Sequence, residues 1–104
     1  MWKKLGLIFS PNKRFSWSQS HAQVPTVDLL NSTTWRVYYS SRDTDGKSRI
    51  SYFDVEAGNP TKIVYQHHSP ILDLGKPGCF DDAGMMPSSI VNYNGNKYLY
   101  YTGW

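Results

Sequence analysis

The segments Ala22-Gln23-Val24-Pro25-Thr26 and Gly84-Met85-Met86-Pro87-Ser88 are each followed, thirteen residues after the proline, by a pair of tyrosines. These pairs are Tyr38-Tyr39 and Tyr100-Tyr101, so the prolines and the tyrosines share one offset of 62 residues. A shared offset at two separated landmarks indicates one supersecondary unit used twice. Repeated units of this kind rarely bury their apolar faces alone. We therefore expect less than two full units of a structure that closes on itself.

The segments around this repeat predict antiparallel β-structure. Asp45-Gly46 and Asn94-Gly95 each lie between two β-prone runs, and such pairs are strong hairpin signals. Pro25 cannot donate to a β-ladder, so its strand is predicted to lie at a sheet edge or to begin there. No stretch of eleven or more residues has an apolar period of 3.6, which predicts little or no helix. The predicted strands cover residues 24–30, 35–40, 48–55, 62–66, 88–93 and 97–101.

Four short antiparallel strands followed by a long connector are typical of a β-propeller blade. The sequence therefore predicts an all-β fold of antiparallel, propeller-type blades, with one blade and about half of a second. An ordinary antiparallel meander, in which the repeat is a coincidence, is the alternative. The predicted parts are a lead-in segment (1–20) and a partial propeller (21–104), the latter divided into a blade (21–66), a connector (67–86) and a half blade (87–104).

Composition and charge restrict the classes of partner. The net charge is +3, and four of the eleven basic residues lie within the first fourteen positions, so no basic stripe continues through the strands and we expect no nucleic-acid binding. Cys79 is the single cysteine and cannot form an intrachain disulfide. The apolar run at 5–9 is shorter than the roughly seven to fifteen residues of a signal-peptide core. We expect a cytoplasmic protein with no membrane partner.

The stretch Leu74–Ser88, which reads LGKPGCFDDAGMMPS, together with Tyr98–Trp104, resembles the five-bladed β-propeller glycosidases. This superfamily contains arabinanases, β-xylosidases, invertases and levansucrases and is related to the mannoside phosphorylases. The resemblance covers roughly residues 20–104, which correspond to the opening blade and the first half of the next. It implies a funnel at the propeller axis, where three carboxylates from successive blades act as base or nucleophile, as modulator and as general acid.

This resemblance carries over to the sequence only in part. Glycosidic cleavage needs one protonated and one ionised carboxyl group flanking the bond. Gln23 stands where the family has the aspartate that serves as base, and an amide cannot ionise. Asp82, with Asp81 beside it, is the best match for a catalytic carboxylate of the second blade, and the blade that carries the general acid has no counterpart here. By the same resemblance, His21, Gln23 and Trp104 are candidates for contact with the ligand.

Other interpretations of these polar residues stay open. Asp81 and Asp82 are equally suited to turn formation, because aspartate accepts local backbone hydrogen bonds in loops. His67 and His68 resemble a metal-binding pair, but adjacent strand residues face opposite sides and no third ligand has suitable spacing. We expect no metal and no cofactor. The pair Arg42-Asp43, after the second predicted strand, is interpreted as a surface hairpin pair.

We therefore expect a partial or truncated propeller that binds a saccharide or is catalytically degenerate, and its status as an enzyme is left open. One alternative is a glycoside hydrolase whose active site is completed by oligomerisation. Another is a small scaffold that works through protein–protein association. The strand predicted at 97–101 would leave backbone N–H and C=O groups unpaired, which predicts a homo-oligomer formed through residues 88–104.

Overall fold

A computed structural model describes residues 1–104. It confirms the all-β prediction, because the chain forms six antiparallel strands and no helix. The first four strands build one sheet in the order β1-β2-β3-β4, and the last two form a separate hairpin. The strands are β1 (Ser20–Leu29), β2 (Thr34–Arg42), β3 (Ser48–Glu56), β4 (Asn59–Gln66), β5 (Met85–Tyr93) and β6 (Asn96–Gly103).

Both predicted hairpin turns are confirmed. Gly46, between β2 and β3, has a φ of 79°, and Asn94 and Gly95, between β5 and β6, have φ values of 50° and 77°. Positive φ at both central residues is the geometry that suits the twist of a two-residue hairpin. Pro25 lies on β1, which is an edge strand of its sheet, as predicted.

Three strands begin earlier than the sequence predicted. β1, β4 and β5 start at Ser20, Asn59 and Met85, so the irregular connector spans 67–84. The prolines near these starts led the prediction to place the strands too late. All three strands lie at sheet edges, where a residue without a backbone N–H is tolerated.

The sequence repeat corresponds to a structural repeat. In β1–β2 the register shifts between Gln23 and Thr26, on either side of Pro25. In β5–β6 it shifts between Pro87 and Ser89. Each repeat is thus an antiparallel hairpin with an irregularity beside its proline, since proline cannot complete the ladder there.

The β5–β6 hairpin covers one face of the four-stranded sheet. Tyr38, Ile50 and Met85 form a buried cluster between the two layers, and Ile50 and Met85 are fully inaccessible to solvent. Partly buried apolar side chains surround this cluster. They are Tyr52, Leu74, Ile90, Leu99 and Tyr101.

The lead-in segment covers the opposite face of the same sheet. Tyr39, Phe53 and Val55 are buried there. The Phe9 ring packs on this cluster, with its centroid 4.5 Å from that of Phe53 and 4.8 Å from that of Tyr39. An apolar cavity of about 450 Å³ lies between this segment and the sheet, bounded in part by Val37. Residues predicted only to precede the first strand therefore contribute to the core.

A buried carboxylate joins the two layers at the end of the sheet where β1 terminates. Asp28 is only 2 % exposed, and it accepts hydrogen bonds from Lys97 Nζ at 2.6 Å and Asn92 Nδ2 at 3.0 Å. Burial alone would raise the pKa of Asp28. The hydrogen bonds from Lys97 and Asn92, with the positive charges of Lys97 and Arg36, outweigh that cost and hold the pKa below its usual value of 3.8. Asp28 therefore stabilises the folded state in its ionised form.

We expect Lys97→Met to lower the free energy of unfolding by about 1–3 kcal/mol, because it removes a hydrogen bond to a buried charge. Lys62→Met is the control, since the Lys62–Glu56 ion pair is exposed and such pairs contribute at most about 1 kcal/mol. Urea denaturation at neutral pH measures both. Because the pKa of Asp28 is lowered on folding, its contribution should be lost as the pH falls below about 4, and Asp28→Asn should weaken that pH dependence. Equal losses in the two lysine variants would contradict this account.

Candidate functional site

The strand directions bring all five predicted site residues to one end of the sheets. β1, β3 and β5 begin at this end, and β2, β4 and β6 finish there, beside the connector. We call it the connector end. His21 and Gln23 lie at the start of β1, Asp81 and Asp82 just precede β5, and Trp104 follows β6.

Gln23 connects the first strands of the two repeats. Its Nε2 donates a hydrogen bond to Met86 Sδ at 3.4 Å, and its Cα pairs with Ser40 on β2. His21 and Val24, on either side, have φ values of 64° and 53°. Positive φ is rare outside glycine and is a marked outlier for a β-branched residue such as valine. Strained backbone of this kind occurs often at binding sites, where the surrounding structure maintains it.

Asp81 is buried and holds the end of β6. It is 7 % exposed, and one of its carboxylate oxygens accepts a hydrogen bond from Tyr101 Oη at 2.9 Å. This bond keeps the proton on the Tyr101 hydroxyl and raises the pKa of Tyr101. A Cβ atom on Gly75 would overlap the Asp81 carboxylate, and one on Gly103 would lie 2.8 Å from Asp81 Cβ. The backbone thus encloses Asp81, and its carboxylate has a structural partner.

Asp82 is the more accessible of the two carboxylates. Its Oδ2 accepts a hydrogen bond from the Gly78 backbone N–H at 2.8 Å, whereas Oδ1 has no partner within the chain. The residue lines a depression of about 300 Å³. The other lining residues are Lys47, Leu74, Gly75, Pro77 and Ala83. Asp82 is therefore able to accept a hydrogen bond from a bound ligand.

Lys47 is a lining residue that the sequence analysis did not identify. It belongs to the β2–β3 turn, which the Asp45-Gly46 pair predicted. The turn itself was thus visible in the sequence. Its proximity to Asp82 depends on the path of the irregular connector, and no periodic pattern reports that path.

Trp104 and His21 border the same end. The Trp104 indole lies against Gly84, so that a Cβ on that glycine would be 2.7 Å from the ring. Backbone hydrogen bonds in both directions between Trp104 and residues 83–84 fix this contact. His21 is exposed, and its Nδ1 lies 2.8 Å from Ser20 Oγ. Trp104 offers a partly exposed aromatic surface, and His21 offers a free ring nitrogen.

The neighbouring histidines make separate contacts. The His67 ring stacks on Tyr52 with centroids 4.6 Å apart, and its Nδ1 lies 3.0 Å from Tyr65 Oη. The His68 ring packs at a tilt on Phe15, with the centroids 5.2 Å apart. No group of three or more His, Cys, Asp or Glu side chains is arranged to hold a metal ion.

Two uncharacterised proteins of Mycobacterium tuberculosis, from strains CDC 1551 / Oshkosh and ATCC 25618 / H37Rv, are similar to this chain. Each is 40 % identical to it over 103 residues, which are 99 % of this chain and 34 % of the relative. The chain thus spans about a third of the length of these curated relatives. No protein-family model matches it, and no solved structure does. None of its segments forms a helix with the length and apolar character needed to cross a membrane.

Strain beside Gln23 predicts an unusual response to substitution at Val24. The left-handed conformation costs a non-glycine residue about 1–2 kcal/mol, and asparagine tolerates it better than valine does. We expect Val24→Asn to leave the free energy of unfolding unchanged or raise it. Val27→Asn is the matched control, because Val27 lies on the same strand with similar exposure (47 % against 43 %) but without positive φ. It should be destabilised, and equal losses in urea titrations of both variants would refute the assignment of strain.

Proposed function

We propose that this chain is part of a β-propeller related to the five-bladed propeller glycosidases, and that it binds a saccharide at the connector end without cleaving it. A four-stranded antiparallel meander followed by a second hairpin of the same design is the arrangement that successive propeller blades would have. The shared register shift beside Pro25 and Pro87 supports a common origin for the two units. Inner strands of successive blades would then be β1 and β5.

The length of the relatives supports the same interpretation. Since 103 residues are 34 % of each relative, the relatives are about 300 residues long. Five units at the spacing of 62 residues would occupy nearly the same length. A closed ring of five blades lies within the range of about four to eight that propellers use. We infer that the two units seen here are the opening part of such a ring in the relatives.

Gln23 is the observation that favours binding over hydrolysis. It occupies the position expected for the base, and its neutral amide is held against Met86. Asp81 is engaged by Tyr101, which leaves Asp82 as the one candidate carboxylate with an unpaired oxygen. A single carboxylate does not provide the acid–base pair that glycosidic cleavage requires. It does suit the hydroxyl groups of a sugar, and an aromatic ring such as that of Trp104 suits the apolar face of a pyranose.

A second candidate function is association through the β5–β6 hairpin. Its outward face exposes Val91, Tyr93, Tyr98 and Tyr100 by 45 %, 65 %, 46 % and 59 %. β6 pairs with β5 alone, so its other edge carries unpaired backbone groups. Apolar faces and open edges of this kind favour pairing with another chain. The same face would permit either a scaffold role or a glycoside hydrolase with a site completed by a second copy.

Binding without turnover is tested with aryl arabinosides, xylosides, fructosides and mannosides and with an array of natural saccharides. We expect no chromophore release above the buffer rate and measurable retention of at least one saccharide. Asp82→Asn should reduce that retention because it removes the free carboxylate oxygen. Asp45→Asn is the control, since Asp45 is exposed in the β2–β3 turn. Turnover that Asp82→Asn abolishes would reject the proposal in favour of a shared active site, and no retention of any saccharide would favour the scaffold.

Association is tested by multi-angle light scattering at micromolar concentration. We expect a mass of twice 11.9 kDa, because closed two-fold dimers are the commonest assembly. The double variant Tyr98→Lys/Tyr100→Lys should shift the mass to that of one chain, as it places charges on the outward face of β5–β6. Tyr65→Lys is the control, since Tyr65 is 47 % exposed on β4 in the other sheet. A monomer at all concentrations, or a dimer unaffected by the double variant, would contradict the prediction.

A further inference from the structure

We propose that the saccharide bound at the connector end carries an anionic group, a carboxylate or a phosphate, and that Arg42 receives it. The inference rests on the proposed function and specifies the ligand class of the same site. Arg42 was interpreted from sequence as a member of a surface hairpin pair with Asp43. The structure instead gives Asp43 a different partner and leaves Arg42 without one.

Arg42 lies on the face of the sheet that looks toward β5. It is the last residue of β2 and pairs with Ser48 on β3 and with Ser20 on β1. Alternate residues of a strand share a face, so Arg42 lies on the same side as Ser40. Ser40 Oγ donates a hydrogen bond to the Met85 carbonyl at 2.9 Å, which shows that this side faces the start of β5. Gln23, which pairs with Ser40 and reaches Met86, lies on that side too.

The guanidinium of Arg42 has no acceptor within the chain. Its Nε is buried and makes no hydrogen bond, and none of the five ion pairs includes it. Asp43, the adjacent carboxylate, is 2.8 Å from Arg49 and accepts the backbone N–H groups of Asp45 and Lys47. Buried polar groups nearly always have a partner, and an unpaired one calls for an explanation. A group from outside the chain would supply the missing acceptor.

The other charges at the connector end point to the same ligand class. Lys47 lines the depression beside Asp82 and takes part in no ion pair. Asp81 already accepts from Tyr101, and Asp82 has one free oxygen. The unpaired groups are thus two cations and one carboxylate oxygen. The planar fork of an arginine binds carboxylate and phosphate with two hydrogen bonds, whereas a sugar hydroxyl suits the Asp82 oxygen.

Isothermal titration of the 104-residue chain tests this with matched ligands. The panel comprises glucose, galactose and mannose, their uronates, their 6-phosphates, and inorganic phosphate. We expect at least one charged sugar to bind about tenfold or more tightly than its neutral parent, the scale of a charge-assisted hydrogen bond. The preference should shrink as NaCl rises from 50 to 500 mM, because salt screens exposed charges.

Substitutions assign the effect to Arg42. Arg42→Gln should remove the preference for the charged sugar, whereas Lys62→Gln, which removes the same charge from an exposed site on β4, should keep it. Arg42→Lys keeps the charge without the planar fork and should give an intermediate affinity. It also serves as the second test if Arg42→Gln fails to fold, which thermal unfolding would reveal.

The possible results separate the two proposals. Equal affinity for charged and neutral sugars, or a preference that survives in both Arg42 variants, would overturn the anionic ligand and leave saccharide binding intact. Binding of inorganic phosphate as tight as that of a sugar phosphate, with no binding of any uronate, would overturn it in favour of a simple anion site. Failure of every sugar to bind would reject both this inference and the proposed function.

Discussion

Tyr38 and Tyr39 are neighbours in the chain but lie on opposite faces of β2, and each is buried in a different apolar cluster. Because successive strand residues alternate between faces, a central strand with two such residues must be covered on both sides. The β5–β6 hairpin covers one side and the lead-in segment covers the other, where burial raises the pKa of Tyr39 to about 12. The second pair meets only half of this requirement. Tyr101 faces inward, whereas Tyr100 is 59 % exposed, so the second unit keeps one face available for a neighbour.

Small polar residues, rather than apolar ones, hold the layers together at the connector end. Ser40, Ser41, Ser48 and Ser51 are completely buried on the central strands, and each makes a hydrogen bond through its hydroxyl. Side chains of this size allow the connector and the start of β5 to approach the sheet closely. Buried hydroxyls tolerate this only when they are paired, which fixes the position of the segment that precedes β5. The positions of Asp81 and Asp82 therefore depend on a serine layer.

Local signals made most of the fold predictable. The Asp45-Gly46 and Asn94-Gly95 turns, the edge position of Pro25 and the repeated Tyr-Tyr pair all depend on residues close in sequence, and the structure confirms the turns, the edge strand and the all-β class. The candidate site was predictable only as a set of residues at one end of the strands. The Tyr101 bond to Asp81 and the lack of an acceptor for Arg42 depend on contacts between segments far apart in the chain. No periodicity reports such contacts.

Charge pairing distinguishes the two ends of the molecule. Where β1 terminates, Asp28, Arg36 and Asp54 lie opposite one another on three successive strands. Arg36 binds Asp54 with two hydrogen bonds and lies over the Tyr52 ring, and Asp28 is held by Lys97 and Asn92. Every buried charge there has a partner, as stability requires. At the connector end the backbone at Val24 is strained and the Arg42 Nε is buried without an acceptor, and both are costs that folding alone would not favour. A ligand that satisfies Arg42 would offset one of these costs, which is the physical reason to place function at this end.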